Sequence, residues 1–221
     1  MAFETSNLPA VSYRIPSNVN LQGLNALTFC CWYRADTRGG SNLGGLFSIN
    51  DSAGFNVWIE STGLKVRFSD PNVWAITSPV LGVWYHFSLT WNGTTVRSYT
   101  DGLETPSPLT RNSTNLLSHH SIGAWKNIAS RNWDGLIDDV RFYARNLSIN
   151  EVRAICKQRG RDTVREGLLY RLKPTNDQPT GGAYTRANDV VSNYDASTKV
   201  GAGTSLIEPS VVSRARGAAF L

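Results

Sequence analysis

The segment Trp84-Tyr-His-Phe-Ser-Leu-Thr-Trp91 constrains the fold more than any other stretch of the chain. Tyr85, Phe87, Leu89 and Trp91 are apolar or aromatic, and His86, Ser88 and Thr90 alternate with them. An apolar period of two places those side chains on one face of a strand, which a helix cannot do. Asn92-Gly93 follows and reads as a two-residue hairpin turn in which both residues accept positive φ. Residues 94–100 then return as the partner strand, and Asp101-Gly102 marks the next turn. Further strands are expected over 27–34, 46–49, 55–60 and 64–69, punctuated by Gly54 and Thr62-Gly63. The segment 133–143 is the last strand before the period changes, with Leu136, Asp138, Val140 and Phe142 on one face, so that Asp138 must be paired or lie at a strand end. Short strands at this spacing imply a sandwich or barrel rather than βαβ units.

The period changes at Leu147-Ser-Ile-Asn-Glu151. Ser148 and Glu151 have capping-box spacing, Val152, Ile155 and Cys156 supply an apolar stripe, and Gly160 is placed to cap the end of one short helix near 148–158. Beyond residue 163 the composition shifts: residues 167–172 read as one more strand and 174–182 as a loop. Residues 206–221 hold no long period and read as an arm.

Of 221 residues, 41% are hydrophobic and 18% charged, with seven Trp, eight Tyr and eight Phe, a globular composition rich in strand formers. The net charge of +5 owes much to one basic stretch from Arg141 to Arg165, which a solvated helix face explains as well as a phosphate-binding patch, so a nucleic-acid partner is not expected. Cys30, Cys31 and Cys156 cannot all pair within one chain, and neighbours on a strand face opposite ways, so buried free thiols are expected. The N-terminus has neither the basic start nor the apolar run of a secretory signal, and no window approaches a membrane span. The expectation is synthesis in a cytoplasm, where the sequons at Asn92, Asn112 and Asn146 carry little meaning.

Three blocks resemble the laminin-G-like, concanavalin-A-like jelly-roll family, in that family's order. They are Leu27-Thr-Phe-Cys-Cys-Trp-Tyr-Arg34, Trp84 to Gly93 running on to Tyr99-Thr-Asp-Gly102, and Trp133-Asp-Gly-Leu-Ile-Asp-Asp-Val-Arg-Phe-Tyr-Ala-Arg-Asn-Leu-Ser148. The resemblance implies an all-β fold, a two-sheet antiparallel jelly-roll sandwich with the one short helix. Family members often open with a strand that has no counterpart before Leu8. Residues 166–172 and 188–198 look like that missing opening moved to the C-terminus. The expectation is a permuted sandwich over 1–205, completed by strands within 166–205, followed by a docking arm over 206–221. In that arm Val211, Val212, Phe220 and Leu221 would fill grooves on a partner, and Arg214 and Arg216 would donate hydrogen bonds.

Some relatives in this superfamily are glycosidases, which need two carboxylates about 5–10 Å apart on one face. Asp138 and Asp139 form the only dense acidic pair, and adjacent strand residues face opposite ways. The resemblance treats them as structural, along with Trp84, Asn92 and Gly93, and no enzymatic activity is expected. His86 reads as strand packing, and His119 and His120 as lying in or beside a strand. Related modules bind calcium or sugar at one rim. The loops at Asn50-Asp51 and Asp70-Pro-Asn-Val-Trp74 lack a dense run of ligands, so no cofactor is assigned and calcium is unsupported. Asn72, Trp74 and Trp125 are the candidate glycan or partner rim, with core burial the plainer reading of each tryptophan.

An adhesion-type fold without a secretory signal or disulfide framework points to a structural or binding subunit of a larger assembly. A tailed-phage virion protein, a capsid decoration or tail component, is the leading expectation, with protein subunits of the particle as partners in a homo-oligomer or capsid lattice. The alternative is a carbohydrate-binding lectin or adhesin with a glycan partner, and a glycosidase is a distant third.

Overall fold

The computed structural model describes residues 2–5, 13–15, 21, 23–39, 43–49, 55–68, 74–106, 109–110, 120–125, 131–159, 161–172, 187–188, 195–196 and 206–207. The strands are β1 (Ala2–Thr5), β2 (Tyr13–Ile15), β3 (Leu27–Ala35), β4 (Leu43–Ile49), β5 (Phe55–Glu60), β6 (Gly63–Phe68), β7 (Trp74–Thr77), β8 (Trp84–Trp91) and β9 (Thr95–Thr100). They continue with β10 (Leu103–Glu104), β11 (Leu109–Thr110), β12 (His120–Ile122) and β13 (Gly135–Tyr143), then helix α1 (Ile149–Gln158). After it come β14 (Leu168–Leu172), β15 (Ala187–Asn188), β16 (Asp195–Ala196) and β17 (Leu206–Ile207).

The strands form two antiparallel sheets and one small ribbon, β15 with β16. The larger sheet runs β10-β9-β8-β3-β13-β1-β17, with β11 on β9 and β14 on β13; the smaller runs β2-β12-β4-β5-β6-β7. The chain is therefore the expected jelly-roll sandwich. Its core is aromatic at the centre: Phe29 stacks on Phe47 across the sheets with centroids 4.8 Å apart, and Phe142 lies 4.9 Å from Phe29 and 5.0 Å from Phe47. Tyr85, Phe87, Leu89 and Trp91 face this core, as their alternation requires. His86, Ser88 and Thr90 on the other face are buried as well, because α1 and the chain after it cover that side: Val152 and Ile155 pack with Cys30, Tyr99 and Tyr143, and Cys156 with Trp32, Trp84 and Leu136. His86 lies against Trp32 at 5.2 Å, a packing position. Cys30 and Cys31 do face opposite ways, and all three cysteines are free and buried.

Two turns exchange the roles expected for them. Asp101 and Gly102 both take positive φ, 53° and 77°, and form the two-residue hairpin between β9 and β10. Between β8 and β9 the loop has three residues. Gly93 alone of them has positive φ, and Asn92 uses its side-chain oxygen to accept from the N–H groups of Thr94 and Thr95 at 3.1 and 2.7 Å. The Asx geometry satisfies the turn without a left-handed asparagine. At the helix the capping box forms between Ser148 and Glu151 as expected, but Arg159 is the left-handed C-cap, its N–H bonded to Ile155 O at 3.2 Å; Gly160 lies outside the described residues. Glu151 also holds Arg145 through two hydrogen bonds, and these, with those from Ser148, outweigh burial and bring its carboxyl down to about 2.

The expected shared face of Leu136, Asp138, Val140 and Phe142 is broken by a bulge. Asp138 pairs with Trp32, but Arg141 pairs with Cys30, so one extra residue sits in β13, and Asp139 has φ 50°. The insertion changes phase: Leu136 faces the helix side, whereas Val140 and Phe142 face the core. Asp138 and Asp139 therefore do not point to opposite faces. Asp139 turns to the helix side and takes a bidentate pair from Arg141 at 3.0 and 2.6 Å and a third bond from Arg171 of β14 at 2.7 Å. Arg141, itself 0% exposed, also grips Asp162 at 2.8 and 2.7 Å. Tyr143 donates to Val164 O at 2.9 Å and closes the cluster. Arg141 and Arg171 are thus buried with Asp139 and Asp162 as a hydrogen-bonded set, which is how such charges can be buried. The structural role expected for Asp139 is this one, and the bond from its own N–H to Asp138 Oδ1 at 2.8 Å shapes the bulge.

Asp139→Asn or Asp162→Asn should cost about 3–5 kcal/mol, because Arg141 stays buried without its full complement of negative charge; thermal or urea unfolding measures it. Burial alone would raise both carboxyls, but Arg141, joined at Asp139 by Arg171, holds them below the ordinary carboxylate range. Their folded values lie below an unfolded value of about 3.9, so this stabilisation is complete above that pH and disappears as pH falls through the folded values. The acid limb of the stability curve should be shallower in Asp139→Asn than in the wild type, and an unchanged limb would contradict this account. Deleting residues 161–221 removes Asp162 and β14 together and should give aggregating protein; a monomer with an unaltered melting transition would show that β14 is dispensable.

Candidate ligand-binding face

Alternation in β5 sends Phe55, Val57 and Ile59 into the core and Asn56, Trp58 and Glu60 to the outer side of the smaller sheet. Register then aligns polar residues across that side: Ser121 of β12 pairs with Ser48 of β4, Ser48 with Asn56, and Asn56 with Arg67 of β6. Four polar side chains form one rung across four neighbouring strands, on the face turned away from α1. Asparagine is depleted in strand interiors, so its place in the middle of an apolar strand calls for a reason.

The rung is only partly satisfied within itself. Ser48 Oγ donates to Asn56 Oδ1 at 2.5 Å, and Ser121 Oγ donates to Ala124 O at 3.0 Å. Asn56 is 0% exposed, yet its Nδ2 has no hydrogen-bond partner among the described residues, and neither has Nε of the half-buried Arg67. Beside the rung, Trp58 meets Trp125 edge-to-face with centroids 4.5 Å apart, and the Arg67 guanidinium lies 5.9 Å from both rings. Trp58 Nε1 donates to Glu60 at 3.2 Å, while Thr62 and Lys65 reach the other carboxylate oxygen. Burial works to raise the Glu60 carboxyl, but these bonds and the Lys65 charge outweigh it and hold the group below its ordinary value.

Gly45 brings Trp125 to this face. A Cβ on Gly45 would stand 2.1 Å from Trp125 N and 2.4 Å from Ala124 C, so only glycine lets residues 124–125 cross β4 in contact with its backbone. The crossing is pinned by Gly45 N and Trp125 N, both donating to Arg131 O, at 3.2 and 3.0 Å.

Of the residues singled out in the sequence, Trp125 is in this cluster, buried against Trp58. Trp74 begins β7, paired with Val66, and its side chain is outside the described residues, as are Asn72, Asn50-Asp51, His119 and the arm residues Val211, Val212, Arg214, Arg216, Phe220 and Leu221. His120 lies in β12, and of the arm only Leu206–Ile207 is described, paired with Ala2–Phe3 of β1. Trp84 packs under α1, and Asn92 and Gly93 shape their turn. Among the described residues no three His, Cys, Asp or Glu side chains are grouped to hold a metal, and no helix is long and apolar enough to cross a membrane. Sequence reasoning passed over Ser48, Asn56, Trp58 and Arg67; the signal available was Asn56 inside an otherwise apolar strand.

The profile of the concanavalin A-like lectin/glucanases superfamily matches residues 11–153. No curated protein sequence matches the chain. Among solved structures, a candidate carbohydrate-binding protein from Bacteroides ovatus ATCC 8483 superposes with a TM-score of 0.66 at 15% identity, over 92% of this chain and 58% of that one. The chain thus spans little more than half of that relative. A heptameric SAP-like pentraxin from Limulus polyphemus superposes at 0.52 with 19% identity, over 70% of this chain and 80% of that one. The sialidase of Trypanosoma rangeli gives 0.51 at 16% identity, over 62% of this chain and only 23% of the sialidase. At these identities the likeness is one of fold.

The double substitution S48A/N56V removes both partners of a buried polar pair and one unpaired donor, and should leave the melting temperature unchanged or raise it. Ser48→Ala alone strips the amide of its one bond and should cost about 1–3 kcal/mol. Gly45→Ala should destabilise by about 1–3 kcal/mol or more as residues 124–125 are pushed away, seen in urea unfolding and in Trp125 fluorescence.

Proposed function

Because the chain belongs to the concanavalin A-like lectin/glucanases superfamily, we propose that it is a non-enzymatic carbohydrate-binding module. The observation that carries this reading is the fold: residues 11–153 match the superfamily, and the candidate carbohydrate-binding protein from Bacteroides ovatus shares the fold over 92% of this chain. Sugars are bound through hydroxyls and charged substituents on fixed polar groups, with their C–H faces on aromatic rings.

Absence of catalysis belongs to the same proposal. The acidic pair singled out in the sequence, Asp138 and Asp139, is buried, and Asp139 is committed to Arg141 and Arg171. The fold and its relatives favour carbohydrate binding over the virion subunit expected from the sequence. The virion setting is a separate proposal, checked by mass spectrometry of purified particles.

A glycan array probed with the full chain should show binding to a restricted set of oligosaccharides. A folded chain that binds no glycan on the array would sink the proposal.

A further inference from the structure

We propose that Asn92 is a site of self-driven modification, at which the Gly93 amide nitrogen attacks the Asn92 side chain and converts it, through a cyclic imide, to aspartate or isoaspartate. Nothing in this chemistry depends on carbohydrate binding. Asn92-Gly93 is the one Asn-Gly pair in the chain, and a glycine puts no side chain in the way of its own nitrogen. Asn92 is exposed in the three-residue loop between β8 and β9, so water reaches it. Its Oδ1 accepts three hydrogen bonds, from Thr94 N and Thr94 Oγ1 at 3.1 Å each and from Thr95 N at 2.7 Å. The three donors draw electrons from Cγ and stand where negative charge gathers on Oδ1 as that carbon is attacked, which is the arrangement of an oxyanion hole. The Gly93 N–H, the nucleophile, donates to no group among the described residues. No hydrogen bond has to break before it reacts.

The step balances with water alone. Gly93 N loses its proton to solvent base and bonds to Asn92 Cγ; the bond from Cγ to Nδ2 breaks, and Nδ2 leaves as ammonia with a proton from water. Water then opens the imide at Cγ, giving aspartate, or at the Asn92 main-chain carbonyl, giving isoaspartate. Either way one amide has become one carboxylate. The two products act differently on the hairpin. Aspartate keeps an oxygen to accept from Thr94 and Thr95. Isoaspartate routes the backbone through the side-chain carbon and lengthens the loop by one atom, next to the buried Trp91, which pairs with Leu27 on one side and Val96 on the other. There is little slack at that end of the sheet, where a Cβ on Gly93 would stand 3.0 Å from Asn25 O.

The test incubates the folded full chain in neutral and in mildly alkaline buffer and follows it by peptide mapping that separates asparagine, aspartate and isoaspartate. The expected result is conversion at Asn92 ahead of every other asparagine, faster in the alkaline buffer because the attacking nitrogen must lose its proton. Thr94→Val removes one of the three donors to Oδ1 and should slow conversion about threefold to tenfold, the worth of one exposed hydrogen bond. Thr94→Ser keeps the hydroxyl and should convert as the wild type does. In concentrated urea the turn is lost, and wild type and Thr94→Val should then convert at one rate, which separates the effect of the fold from that of the local sequence. An Asn92 that stays an amide in the folded chain while it converts in urea would show that the turn protects it and would overturn the proposal. Equal rates for folded wild type and folded Thr94→Val, or a Thr94→Ser chain as slow as Thr94→Val, would overturn it as well.

Discussion

One inserted residue in β13 and the ion cluster that fills it hold the larger sheet to everything behind it. Without the bulge at Asp138 and Asp139, Leu136 and Phe142 would share a face, and one of them would leave its cluster. With it, the first half of β13 sends Leu136 to Trp32, Trp84 and Cys156, and the second half sends Val140 and Phe142 to the core. The left-handed turn at Asp139 aims its carboxylate at Arg141 and Arg171, so β14 and the segment after α1 are tied to the central strand by charge as well as by backbone bonds. Each charge is expensive to bury, and the set is tolerable because its members satisfy one another.

The two outer faces of the sandwich are both buried but carry different polar groups. On the larger sheet, α1 and residues 161–167 cover the strands, and the charged groups beneath are matched donor to acceptor. On the smaller sheet, a rung of polar residues crosses four strands with two donors left over.

Local chemistry made much of this legible. The alternation of Tyr85 to Trp91, the capping box at Ser148 and Glu151, and the stripe of Val152, Ile155 and Cys156 each depend on neighbours in sequence, and each stands as read. The two Asx-Gly turns were harder. Asn92-Gly93 and Asp101-Gly102 have the same signature, and which one closes as a two-residue hairpin depends on the strand register around it. The bulge was illegible because a single extra residue leaves no mark in an alternating pattern until the partner strand supplies the count. Arg141 looked like one more member of a basic run, although it is the most deeply buried charge described.

The candidate site sits at the far end of that scale. Sequence by itself determined a run of short strands, as in a sandwich or barrel, and one capped helix, since period, turn residues and caps act over a few positions and need no partner. Only tertiary structure decided that Ser121, Ser48, Asn56 and Arg67 make one rung, and that Gly45 lets Trp125 reach Trp58. Those residues come from four strands spread over more than seventy positions, as Ser48 and Ser121 show. Register between strands is set by packing of the whole core, so no pattern within any one segment could place them side by side.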